Sequence, residues 1–67
     1  MAKVADRIKE LRIEKNLTQL ELSKATGVSQ NAIAQWENGK RTPNINAIIV
    51  LAKYFGVTTD YLLCVVD

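Results

Sequence analysis

A chain of 67 residues holds one domain, 1–67, and a domain this short buries only about 60% of the surface its unfolded form exposes, so it needs an efficient core. Apolar residues make up 48% of it, too many for a disordered tail, and nine Lys/Arg against seven Asp/Glu leave a net charge of +2 that by itself selects no partner. With no histidine and the single cysteine Cys64, the chain lacks a Ser-His-Asp or Cys-His pair, a Cys/His metal cluster and an intrachain disulfide. The expectation is therefore a non-enzymatic chain with no cofactor and no metal. No run approaches the roughly 18 apolar residues of a membrane span, and the start lacks the apolar segment of a signal peptide. A soluble, cytoplasmic protein is expected.

In chain order, Val4, Ile8 and Leu11 recur at helical spacing with Asp6, Glu10 and Glu14 opposite, which predicts a first helix over Ala2 to Lys15 stopped near Asn16. Ile13 falls on its polar face without a reason. Thr18 followed by Glu21 forms a capping box, and Leu17 can staple onto Leu22, so a second helix runs from Gln19 to Thr26 and ends at Gly27. Ser29 caps a third helix, Gln30 to Asn38, closed by Gly39. Pro43 and Asn44 restart the chain, and Ile45, Ile48, Ile49, Ala52 and Phe55 mark an apolar fourth helix that stops at Gly56. Thr58 caps a last helix containing Asp60, Tyr61, Leu62 and Leu63. No segment alternates with period two, so the fold class is all-α, a compact bundle of five short helices.

The second and third helices, with a glycine turn between them, have the spacing of a helix-turn-helix over 19–38. At about 100° per residue, Gln30, Asn31, Ala34, Gln35 and Asn38 fall on one arc of roughly 140°, with Ala32, Ile33, Trp36 and Glu37 on the other. The outer arc carries amides and a methyl but no charge. Amides donate and accept at once, as the N6/N7 edge of adenine requires, and a methyl suits the thymine methyl. From this helix alone a merely polar surface explains the arc equally well.

The run LTQLELSKATGVSQNAIAQWENGKRTPN, continued by YFGVTTDYLL, resembles the lambda-type repressor and Cro (XRE-like) helix-turn-helix family over nearly the whole chain. The family's usual small alanine in the middle of the second helix is Ser23 here, whose hydroxyl is expected to bond an upstream carbonyl of that helix. The resemblance implies a lambda-repressor-like fold and a transcriptional regulator, a repressor, that reads double-stranded DNA in the major groove. It implies base contacts at Gln30, Asn31, Ala34 and Gln35, and phosphate contacts at Gln19, Asn38, Lys40, Arg41 and near Asn44. Helix N-termini carry free N–H groups and partial positive charge, so the starts at Gln19, Gln30 and Asn44 suit phosphate. Glu37 sits at the edge of the inward arc and needs a cation, and the resemblance pairs it with Arg12 in a structural salt bridge.

The apolar C-terminal stretch Thr59, Tyr61, Leu62, Leu63, Cys64, Val65 and Val66 is more than core closure needs. In similar repressors this end forms a two-fold contact, so a homodimer through Thr59, Tyr61 and Leu62 on an inverted-repeat operator is expected, although Leu62 and Leu63 serve equally well as core. Tyr61, with a large ring and a polar tip, is the better contact candidate. The competing reading is a helical protein-interaction module, such as an antitoxin, on the same fold.

Overall fold

The computed structural model describes residues 3–65. Five helices follow one another: α1 (Val4–Glu14), α2 (Gln19–Thr26), α3 (Gln30–Glu37), α4 (Ile45–Phe55) and α5 (Thr59–Leu62). Four of the five starts are fixed by short polar side chains that accept from an otherwise unpaired backbone N–H. Thr18 Oγ1 accepts from Glu21 N–H at 3.1 Å while Thr18 N–H donates to Glu21 Oε1 at 2.8 Å, completing the capping box. Ser29, Asn44 and Thr58 cap α3, α4 and α5 through the N–H groups of Ala32, Ala47 and Tyr61.

Helix ends differ from expectation by a residue or so. The expected start of α1 at Ala2 lies outside the described residues, and its last residue is Glu14, with Lys15 as the cap and Asn16 left-handed at φ +57°. The third helix ends at Glu37 because Asn38 already leaves helical geometry at ψ +4°, ahead of Gly39 at φ +79°. The Ser23 hydroxyl corrects a more specific expectation. It donates downstream to the Val28 carbonyl, so it ties α2 across the turn to the entry of α3 instead of bonding within α2.

Each helix sends one completely buried side chain to the centre: Ile8 from α1, Leu22 from α2, Ile33 from α3, Leu51 from α4 and Leu62 from α5. Leu11, Trp36, Ala47, Ile48, Ala52 and Phe55 complete the core around them. Ile13 is exposed, in keeping with its place on the polar face. Two expected members of the α4 stripe are not core: Ile45 is 74% exposed and Ile49 41%. The helix is apolar nearly all round, so packing and not periodicity chose the Ala47, Ile48, Leu51 and Ala52 side.

Arg7 is buried at the join of α1 and α5, with its guanidinium carbon 3.9 Å from the centre of the Tyr61 ring. Burial opposes its charge, but the neighbouring Tyr61 and Cys64 side chains outweigh that and hold its pKa above the usual arginine value. This stacking fastens the short α5, which at four residues has little helical stability of its own.

The turn between α2 and α3 depends on Gly27, which is left-handed at φ +78°. A Cβ there would meet nothing within 4 Å, so replacement costs backbone strain alone. Gly27→Val is expected to lose about 1 to 2 kcal/mol of stability, since a β-branched residue strongly disfavours that region. Gly27→Asn should lose less, and urea denaturation of the two variants would rank them. Equal midpoints for Gly27→Val and the parent would contradict the assignment.

Candidate nucleic-acid interface

The surface built around α3 follows from how that helix is anchored. Ile33, completely buried, and Trp36, 6% exposed, fix its inner side in the core. Its rotation is thereby set. Gln30, Asn31 and Asn38 are exposed and Ala34 and Gln35 half-buried on the opposite side, as the helical wheel predicts. Gln30, Asn31 and Ala34 line one shallow groove together with Gln19 from the first turn of α2.

Beyond α3 the chain turns back on itself. Lys40 N–H and Arg41 N–H both donate to the Gln35 carbonyl, at 2.9 and 3.2 Å, and Asn38 Oδ1 accepts from Lys40 N–H at 3.0 Å. The Lys40 bond holds the Asn38 side-chain oxygen against the loop, and its amide NH2 remains as a donor at an exposed position. The Lys40 and Arg41 side chains are exposed, and neither forms an ion pair among the described residues. Arg41 also lines a second groove, with Ala32, Trp36, Thr42 and Asn44, at the start of α4. The Asn44 side-chain oxygen Oδ1 accepts from Ala47 N–H at 2.9 Å, capping α4. The first backbone N–H groups of α2, α3 and α4 have no partner within their own helices and carry the positive end of each helix dipole.

Behind this surface lies the Arg12–Glu37 pair. Arg12 Nε donates to Glu37 Oε2 at 2.7 Å and Nη2 to Oε1 at 2.9 Å, a two-pronged contact that joins α1 to the last turn of α3. The third guanidinium nitrogen, Nη1, donates to the Leu17 carbonyl at 2.7 Å. The side chains are 12% and 4% exposed. Bonding to Glu37 raises the Arg12 pKa above the usual arginine value, against the opposing effect of burial. Gln19 Nε2 adds a further bond to Glu37 Oε1 at 3.1 Å, a contact invisible to local patterning because the two residues lie 18 positions apart.

The expected self-association residues are divided. Leu62 is completely buried and belongs to the core, so the expectation that it meets a partner is corrected. Tyr61 is half-buried, with one ring face covered by Arg7. Thr59 is exposed and lines an apolar groove with Pro43, Ile45, Ile48, Ile49 and Leu63. Leu63, named in the apolar C-terminal stretch, is exposed, and the exposed Ile45 and Ile49 of α4 are what the sequence reading missed.

Among the described residues no helix is long and apolar enough to cross a membrane. A family model described as Helix-turn-helix matches residues 8–62. The chain is 43% identical over 58 residues to the "HTH-type transcriptional activator BcrR" of Enterococcus faecalis, covering 87% of this chain. It is 37% identical over 60 residues to "Repressor protein C2" of Salmonella phage P22, covering 90% of this chain. It spans 28% of the length of each of these two relatives. The crystal structure of the P22 c2 repressor protein in complex with synthetic operator 9T superposes with a TM-score of 0.87 at 35% identity, over 94% of this chain and 96% of that one. With α2, the Gly27 turn and α3 in the expected geometry, the chain belongs to the lambda-type (XRE-like) helix-turn-helix family.

Proposed function

We propose that this domain is the sequence-specific DNA-binding unit of a transcriptional regulator, a repressor that occludes its promoter. The observation that carries the reading is the uncharged amide face of α3, held outward by Ile33 and Trp36 and followed at once by two exposed cations. Gln30, Asn31, Ala34 and Gln35 meet base edges in the major groove. Phosphates on either side are held by the Asn38 amide, the Lys40 and Arg41 side chains, and the backbone N–H groups at the starts of α2 and α4, beside Gln19 and Asn44. The domain acts in the cytoplasm, without catalysis or cofactor.

Two copies bind an inverted repeat. The two-fold contact is formed by Thr59 and Tyr61 together with the apolar groove that Thr59 shares with Ile45, Ile49 and Leu63, the exposed apolar cluster on α4 and α5. The crystal structure of a similar repressor with operator DNA supports the duplex partner. Selection of bound duplexes from a random pool tests the whole reading. A pool that enriches no common half-site would sink it, and a half-site without two-fold repetition would remove the dimer.

The phosphate assignment has its own test. Lys40→Ala should weaken binding about equally on every duplex and lower the slope of log affinity against log salt by about one, because one released counterion is lost. A variant that keeps its salt slope but loses base preference would make Lys40 a base reader.

A further inference from the structure

We infer that Ser23 is a specificity-determining positioning residue, which together with Thr26 locks the turn between α2 and α3 and so fixes the angle at which α3 presents its amides to the bases. The inference rests on the proposed reading of bases by α3. Three peptide planes separate Thr26, the last residue of α2, from Ser29, the cap of α3. A peptide is planar and turns as a unit, so a hydrogen bond to each plane restrains the whole turn. The first plane is held by Gly27 N–H, which donates to the Ser23 carbonyl at 2.8 Å. In the second, Val28 N–H donates to Thr26 Oγ1 at 3.3 Å, and that hydroxyl is steadied by donating to the Leu22 carbonyl at 2.8 Å. The third carries the Val28 carbonyl, which accepts from the Ser23 hydroxyl at 2.5 Å.

Ser23 therefore holds both ends of the turn, one through its backbone and the other through its side chain. With the planes on either side of Val28 restrained, its φ and ψ are pinned, and its side chain packs against the core as well. The third plane also contains the backbone nitrogen of Ser29, whose hydroxyl caps α3 by accepting from Ala32 N–H. Orientation passes from α2 through this one peptide to the first turn of α3, where Gln30 and Asn31 stand. What the Ser23 hydroxyl supplies is pre-organisation. Base edges are read only when donors and acceptors arrive within about 0.5 Å of their places, whereas the electrostatic hold on phosphates is independent of sequence and tolerates a small tilt. A looser turn weakens the specific complex and spares the non-specific one.

Ser23→Ala tests this, because it removes the hydroxyl, changes little volume and favours the helix. The duplex that the parent selects from a random pool, and single-base variants of it, are titrated with both proteins. Affinity for the selected site is expected to fall about fivefold, the equivalent of one hydrogen bond of ordinary net strength, with the loss shared by all the steps that α3 reads. Affinity for random duplex and the salt slope should stay level. Thr26→Val, which releases the second plane, should act in the same direction, and after Ser23→Ala it should cost less than it does alone, since the turn is already loose. Undiminished discrimination, an equal loss on all duplexes, or a loss confined to one base pair would overturn the inference. A parent chain that selects no duplex would instead overturn the base-reading assignment beneath it. Trp36 fluorescence during unfolding checks that the variants are folded, and Thr26→Val carries the same test should the alanine variant unfold.

Discussion

Arg12→Met is expected to lower the stability of the domain by about 3 kcal/mol, the lower part of the range for removing one partner of a buried ion pair. The cost comes from what is left behind. Glu37, with its side chain 4% exposed, would keep a single bond from Gln19, and the Leu17 carbonyl would lose the bond from Arg12 Nη1. The 12% exposure of Arg12 lets water reach the edge of the site, which is why the upper end of the range is not expected. Removing both charges, with Arg12→Met and Glu37→Leu together, should recover much of the loss but not all, because the Leu17 carbonyl and the Gln19 amide still lack partners. Urea midpoints of the single and double variants measure both effects. An unchanged midpoint for Arg12→Met would mean that Glu37 is fully hydrated in solution.

Gln30→Ala is expected to cost about 1 to 3 kcal/mol of binding to the preferred duplex and to relax preference at one or two base pairs, with the rest of the site unaltered. The outer face of α3 carries no Arg or Lys, the side chains that make the commonest contact with guanine, and no carboxylate to accept from cytosine. Adenine at the steps read by Gln30, Asn31 and Gln35, and a thymine methyl beside Ala34, are the expected choices. Half-sites should therefore be rich in A·T pairs at the contacted steps, with centres about 34 Å apart across the repeat. Titration against single-base variants measures the change. Selected half-sites uniformly G·C at those steps would refute the adenine reading, and a loss spread evenly over the site would place Gln30 on the backbone of the duplex.

The features legible in the sequence are those decided within a few residues. Thr18, Ser29, Asn44 and Thr58 announce their helices because a cap reaches only to the third N–H beyond it, and Gly27 and Gly56 announce the stops. The outer face of α3 was legible for a similar reason, since eight residues with two large apolar anchors leave one rotation open. Where these local rules gave out, reading failed in recognisable ways. On α4, apolar on nearly every side, periodicity could not tell the exposed Ile45 and Ile49 from the buried Leu51. On α5, four residues are too few for a wheel to separate Tyr61 from Leu62.

Arg7 was hidden for another reason. It lies on the stripe Val4, Arg7, Ile8, Leu11 at helical spacing, so the geometry pointed inward, while its charge argued for the surface until the Tyr61 ring was seen beneath it.

Five completely buried side chains, one from each helix, belong to a single core cluster, which binds the helices into one unit. Among the described residues no helix exceeds 11 residues, fewer than the roughly 12 to 15 needed for an isolated helix to persist in water. Withdrawing any one helix would open the core to solvent and remove support from the helices packed against it. Opening and global unfolding are thus the same event, and backbone amides throughout the helices should exchange with solvent at a common free energy, with only the fraying ends departing from it. A ligand seated on α3 alone therefore protects α1 and α5 to the same extent. At a duplex concentration 100 times its Kd, that added protection amounts to about 2.7 kcal/mol at every core amide.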